Sequence, residues 1–335
     1  MACLYVTEQG SKIRSSGGRI IVAGQDGSTR SVPVETLESI MLFGRVELTA
    51  KAQEECLSRG ISVTFLSTRG HYFGRLQSTG HMNTFRLKKQ MQLSENREEC
   101  LKLTKKILEA KIHNQIVLAR RYSRNRSDID NHRLINDMSV IDRKIESSDS
   151  LEQALGYEGI AARAYFKILS NLIDEEFKFN GRNRRPPKDP FNSMISLGYT
   201  ILLYEIYAGI EARSMSPYFG FIHQIRENHP TLASDLLEEW RAVIVDATVL
   251  SLIQGHEVNS SDFDRDPDTG GVMLNRTALS AFIRKLENKM RTETQYFDYL
   301  DHPVMFRRAI WWQTKTLAGC IDQGNFDSYR PLRIR

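Results

Sequence analysis

The chain has only four cysteines, Cys3, Cys56, Cys100 and Cys320, and no two of them form a CxxC element. Thiols spread this thinly over 335 residues supply neither a zinc ribbon nor a disulfide scaffold, so reduced thiols and a cytoplasmic location are expected. Long apolar runs are missing too: no stretch approaches the roughly 18 consecutive apolar residues of a membrane span. The opening MACLYVTEQGSK has no basic segment followed by an apolar one, which argues against a secretory leader. No GxG triplet and no GK dipeptide occur, which removes the dinucleotide fingerprint and the lysine-bearing phosphate loop. GxSxG, the nucleophile elbow, is absent as well. His256-Glu257 opens like a zinc-protease HExxH, but Ser260 stands where the second histidine is needed.

A hydrophobic fraction of 41% is enough for a sizeable core, and the length suggests two domains. Short apolar or β-branched runs at 4–6, 19–22, 39–43 and 63–66 are punctuated by Ser16-Gly17-Gly18 and Gln25-Asp26-Gly27, the pattern of strands and turns. One helix is expected at 49–58, with Thr49 as N-cap and Gly60 as stop. Beyond residue 84 the strand pattern ends. Residues 85–126 contain no Pro or Gly and read as one long helix, and further helices are expected at 151–177, 190–213, 231–254, 275–293 and 302–322. The fold class is therefore α+β: a small N-terminal β-rich domain (1–80), a linker (81–84), a large all-α domain (85–325) and a C-terminal tail (326–335).

The formal net charge is only +5, but it is unevenly placed. Residues 85–126 hold twelve Lys or Arg against four Glu, and 178–188 add five basic residues and no acid. Such clusters suit a phosphate backbone as well as a solvated helix face.

Three segments combine ligand-type side chains with unusual surroundings. In GYEGIAARAYF (156–166), Glu158 stands among small residues with Arg163 behind it. In SPYFGFIH (216–223), His223 follows an aromatic-rich turn, and in SDLLEEWR (234–241), Asp235 and Glu238 share a helix face. Alone, each has an ordinary structural explanation: helix packing, a hydrogen-bonded core-edge histidine, an acidic first turn. Together, two carboxylates, one imidazole and an acidic neighbour form an oxygen-rich set that suits Mg²⁺ or Mn²⁺ better than structural zinc. A divalent metal beside basic clusters is the arrangement phosphodiester chemistry needs.

These three segments, in this order and with DPFNSMISLGYTILLYEI (189–206) between the first two, resemble the CRISPR-associated adaptation endonuclease and integrase family, the first-numbered Cas proteins. The likeness extends to ESIMLFGRVELTAKAQEECLSRGISVTFLSTRG (38–70) and covers about residues 4–320. It implies metal ligands at Glu158, His223 and Glu238, with Asp235 as a secondary ligand. It also implies a homodimer joined through the β-rich domains and a small ferredoxin-like partner, the second-numbered Cas protein. The double-stranded DNA substrates would be a protospacer and a CRISPR repeat, joined by attack of a 3′-OH. Charge and position nominate Arg163, Arg184, Arg185 and Lys188 for DNA contact, and the helix end at 120–126 less strongly. The alternative is a catalytically silent DNA-binding scaffold of the same fold. A helical hydrolase of small phosphoesters is a third reading, without a visible base pocket to support it. One departure is the turn Arg213-Ser214-Met215-Ser216-Pro217, where the family commonly has a Gly-Leu-Asp-Pro type of turn.

Overall fold

The computed structural model describes residues 2–79, 82–124, 130–297 and 299–335. They fall into two compact units, Met1–Met82 and Asn83–Arg335.

The first unit contains two four-stranded sheets. One has the order β1 (Ala2–Val6), β5 (Leu37–Phe43), β7 (Ser62–Leu66), β8 (Tyr72–Leu76); its first three strands are parallel and β8 is antiparallel. The other has the order β4 (Thr29–Pro33), β3 (Arg19–Ala23), β2 (Lys12–Ser16), β6 (Glu47–Leu48). Ile13 and Ile20 from the second sheet share one apolar cluster with Ile40, Leu42 and Val63 from the first. The β2–β3 hairpin turns through Gly17 and Gly18, at φ 56° and 70°, the two positive values a tight two-residue turn requires. Helix α1 (Ala50–Arg59) is capped by Thr49 Oγ1, which accepts from Ala52 N, and stopped by left-handed Gly60. Strands β2, β4 and β6 are additions to the sequence reading, whereas β8 pairs antiparallel with β7 across the hairpin connection expected at Thr68-Arg69-Gly70. β2 and β4 are mostly polar and β6 is two residues long, so pairing with neighbours rather than an apolar run makes them strands.

The second unit is mostly helical: α2 (Thr84–Ser94), α3 (Arg97–Ser123), α4 (His132–Glu146), α5 (Leu151–Leu172), α6 (Pro190–Glu211), α7 (Thr231–Leu237), α8 (Ala247–Gln254), α9 (Arg276–Arg291) and α10 (Phe306–Gln323). Two short hairpins, β9 (Phe263–Arg265) with β10 (Val272–Leu274) and β11 (Glu293–Thr294) with β12 (Val304–Met305), interrupt it.

Several expectations are corrected. The single helix over 85–126 is two, because Asn96 Oδ1 accepts from Glu98 N and Glu99 N and starts a new helix there. Arg126 lies outside the described residues. Thr84 belongs to α2, capped by Asn83, rather than to a linker. Helix α4 was not anticipated. The helix over 231–254 is three pieces, since a wide π-helical turn spans Arg241–Asp246 between α7 and α8. α10 starts only at Phe306, after β12.

The tail is folded in: Phe326, Tyr329, Leu332 and Ile334 are buried. Among the described residues α6 alone is long and apolar enough, by length and composition, to cross a membrane, and 67% of that stretch is buried inside the protein. That burial makes it a core helix of this unit.

Candidate active site

Three elements meet at the site: α3, α5 and the segment joining α7 to α8, each packed against α3 or belonging to it. Glu158 sits two turns into α5, whose start is capped by Ser150. A methyl group at Gly156 or Gly159 would meet no described atom within 4 Å. These small residues are therefore not there for helix packing; they leave the surface beside Glu158 open.

Lys111, on α3, is 6% exposed and was not singled out in the sequence. Its Nζ lies 2.5 Å from Glu158 Oε1 and 2.6 Å from Glu238 Oε2. The second contact is an ion pair without hydrogen-bond alignment. Arg241 Nη2 lies 3.0 Å from the other oxygen, Glu238 Oε1. Burial pushes the Glu238 carboxyl up, but the charges of Arg241, Lys111 and His223 outweigh it and bring it down to about 2. Burial likewise pushes Lys111 down, and the carboxylates of Glu238 and Glu158 more than restore it. Two negative and two positive side chains thus form an internally neutral set, with Lys111 and Glu238 buried and Glu158 and Arg241 partly exposed.

His223 belongs to the irregular stretch before α7 and is held by one fully buried carboxylate. Asp235 Oδ2 accepts from Phe221 N at 2.7 Å and Ile222 N at 3.0 Å. Its Oδ1 accepts from His223 N at 3.2 Å and pairs with His223 Nδ1 at 2.6 Å. Four donors meet this one carboxylate, so in this structure Asp235 orients His223. With Nδ1 engaged, Nε2 is the nitrogen left for a ligand. That hydrogen bond raises the His223 pKa, against burial, which lowers it. Gly220 permits this closeness: a Cβ there would stand 2.5 Å from Asp235 Oδ2 and 2.6 Å from Thr231 Cγ2. Ser214, in the atypical preceding turn, takes φ 53°, the left-handed region where glycine is cheapest.

Behind Arg241 lies a second carboxylate. Asp246 accepts from Tyr165 Oη at 2.8 Å and Tyr199 Oη at 2.7 Å. Burial raises it to about 6, against those hydrogen bonds. The Arg241 guanidinium stands 5.0 Å from the Tyr199 ring centroid. On this side a cavity of about 540 Å³ is lined by Arg163, Lys167, Arg182, Arg184 and Arg241 over Phe166, Phe179 and Tyr199, and no carboxylate is among its lining residues.

Of the four nominated DNA contacts, Arg163 and Arg184 line this groove, while Arg185 and Lys188 do not. The Lys188 ammonium donates to Thr269 O at 2.6 Å on the exposed surface. At the end of α3, Arg121 donates to Arg335 O. The tail braces the site from behind: Glu239, next to Glu238, accepts from Tyr329 Oη at 2.6 Å and Leu332 N at 2.8 Å, and Asn114 of α3 bonds Leu332 O and Ile334 N.

Among the described residues no three His, Cys, Asp or Glu side chains stand together at metal-binding distance. The donor chemistry nevertheless suits a hard divalent cation: two carboxylates already converge on one cationic group, and His223 lies within electrostatic range of Glu238. Lys111 and Arg241 escaped the sequence reading for different reasons. Lys111 is one lysine in a basic helix, whereas Arg241, three residues after Glu238, could have been paired with it by helical spacing.

The chain matches the family model "CRISPR associated protein Cas1" over residues 4–288. It is 37% identical over 326 residues to the CRISPR-associated endonuclease Cas1 of Mycobacterium tuberculosis, covering 97% of this chain and 95% of that protein. Two solved structures share its fold. A Cas6-RT-Cas1–Cas2 complex superposes with TM-score 0.84 at 24% identity, covering all of this chain and 36% of that much longer one. A casposase bound to integration product superposes with TM-score 0.85 at 21% identity, covering 100% of this chain and 96% of the other. By its sequence over most of its length, this chain belongs to the Cas1 family of CRISPR-associated proteins.

Proposed function

We propose that the protein is a metal-dependent DNA endonuclease and integrase that inserts short foreign DNA into a CRISPR array. It would act in the cytoplasm as a homodimer, with a small ferredoxin-like second Cas protein as partner. The observation that carries this reading is the pair of carboxylates, partly exposed Glu158 and buried Glu238, brought to one point beside a groove lined by five cations. The name of the Mycobacterium relative and the nature of the two structural neighbours agree with it.

Glu158, Glu238 and Nε2 of His223 are the groups that would hold Mg²⁺ or Mn²⁺. When bound, such an ion supplies Lewis-acid neutralisation of the phosphate and a lowered pKa for the attacking oxygen. The protein's own residues bind and orient. Arg163 and Arg184 hold phosphates of the incoming strand, Phe166 offers a face for a base, and Asp235 fixes the imidazole. In strand transfer the 3′-oxygen of the incoming DNA bonds to phosphorus as the target strand's own 3′-oxygen leaves. The proton of the attacking hydroxyl ends on that leaving oxygen, and no covalent protein intermediate is needed.

The test is joining of a short duplex with 3′-OH ends to a supercoiled plasmid carrying a leader and repeat, with the small partner and Mn²⁺. Glu158→Ala should lower joining by at least about 100-fold while DNA binding stays near the wild-type value. EDTA should abolish joining. Equal joining rates for Glu158→Ala and wild type would overturn the site assignment; binding without joining by the wild-type protein would leave a silent scaffold.

A further inference from the structure

The ammonium of Lys111 stands between the two carboxylates, in direct contact with both, and its side chain is only 8% exposed. Two carboxylates this close repel each other strongly at low dielectric unless a cation lies between them. The fold supplies that cation itself. Lys111 is fixed on a 27-residue helix that packs against α5 and the π-helical turn, so its placement is part of the core and not a surface side chain at rest. With Arg241 on the far oxygen of Glu238, the four-charge set is neutral before any ion arrives.

From this geometry we propose that Lys111 is a built-in counterion that competes with the divalent metal for Glu158 and Glu238. It keeps the carboxylates together in the metal-free protein, and metal entry requires its Nζ to leave them. The inference rests on the metal site of the preceding section and deepens it. Coulomb's law supplies the reason. An added divalent ion raises the local charge from zero to +2 unless a cation withdraws or an anion enters. A displaced ammonium and an arriving DNA phosphate answer the same imbalance, so metal binds weakly to the free protein and more tightly when DNA is present. Lys111 is thus a positioning residue for the metal-free site and a determinant of metal affinity, not a group that reacts.

The experiment is Mn²⁺ titration of the full chain, read by electron paramagnetic resonance of free Mn²⁺ and by thermal melting, without DNA. Wild type, Lys111→Met, Lys111→Gln, Lys111→Arg and Glu158→Gln are compared. Lys111→Met should melt at lower temperature than wild type without metal, yet bind Mn²⁺ at least about tenfold more tightly and gain more from it, because binding stabilises in proportion to affinity. Lys111→Gln, closer to lysine in polarity, guards against a methionine variant that fails to fold and should show the same tightening. Lys111→Arg keeps the charge and should stay near the wild-type affinity. Mn²⁺ affinity that is unchanged or weaker in both neutral variants, while wild type binds through Glu158, overturns the counterion role alone. If wild-type Mn²⁺ binding is absent or unaffected by Glu158→Gln, the metal site falls and this inference falls with it.

Discussion

Glu238 and Asp246 lie on either side of Arg241, are equally buried, and have been driven in opposite directions. Glu238 is held near 2 and Asp246 is raised to about 6. Burial pushes both up. What differs is the partner: Glu238 touches an ammonium and a guanidinium, whereas Asp246 receives two neutral tyrosine hydroxyls. Full charges outweigh desolvation on one side of the π-helical turn and dipoles fail to do so on the other. One side is thus built to keep a carboxylate ionised at every physiological pH. The other orients the aromatic ring that steadies Arg241.

The comparison breaks most forcefully at Arg241 itself. Arg241→Met leaves Glu238 buried with one of its two cations and should destabilise the protein by about 3 kcal/mol at pH 7, as measured by urea unfolding. The deficit should shrink toward pH 3, where the less well-paired Glu238 of the variant takes up a proton. A variant as stable as wild type at pH 7 would mean that Lys111 alone suffices.

Asp246→Asn sharpens the contrast through pH. Because the folded pKa of Asp246 lies above the ordinary carboxylate value of 3.8, the folded protein holds a proton that the unfolded chain has released. This group should therefore make stability fall as pH rises from about 4 to 6, by at most about 3 kcal/mol, while Glu239, raised by burial to about 7, adds a fall of the same sign that extends to higher pH. The Asn variant should lose the Asp246 part of that fall. Glu238 has the opposite sign: its contribution is present above pH 4.5 and is lost as pH drops toward 2. Chemical denaturation across pH 3–7 would separate the two, and an unchanged slope in Asp246→Asn would remove Asp246 from the account.

The smallest effect concerns the groove. Replacing both Arg163 and Arg184 by Ala should weaken DNA binding about tenfold and lower the salt slope of binding by about two. Lys188→Ala, outside the groove lining, should weaken binding less and lower the slope by no more than about one. Equal losses from both variants would place the DNA path outside the groove.

Much of this was legible in sequence. The α+β order, the helix at α1 with its Thr49 cap and Gly60 stop, and the start of α5 follow from local propensity and capping, which act within a few residues. Glu158, His223 and Glu238 were singled out because unusual neighbours and a family resemblance drew attention to them. Lys111 could not be singled out among the basic residues of its helix, since nothing local distinguishes a lysine that will be buried from one that will be solvated. Sequence displays the acidity of Asp235 but not the four donors that meet it. The role of the tail is not legible in sequence because its anchors, Glu239 and Asn114, are about 90 and 220 residues away.

Sequence by itself therefore determined the class of the protein, the identity of its local elements and the chemical types gathered in three segments, because those depend on nearest neighbours along the chain. Only the tertiary structure decided which charge meets which: that Lys111 stands between two carboxylates from distant segments, that Arg241 divides an ionised acid from a tyrosine-bound one, and that the tail braces the back of the site. Charges interact through space at distances of a few ångströms, and the path between them along the chain does not set that distance.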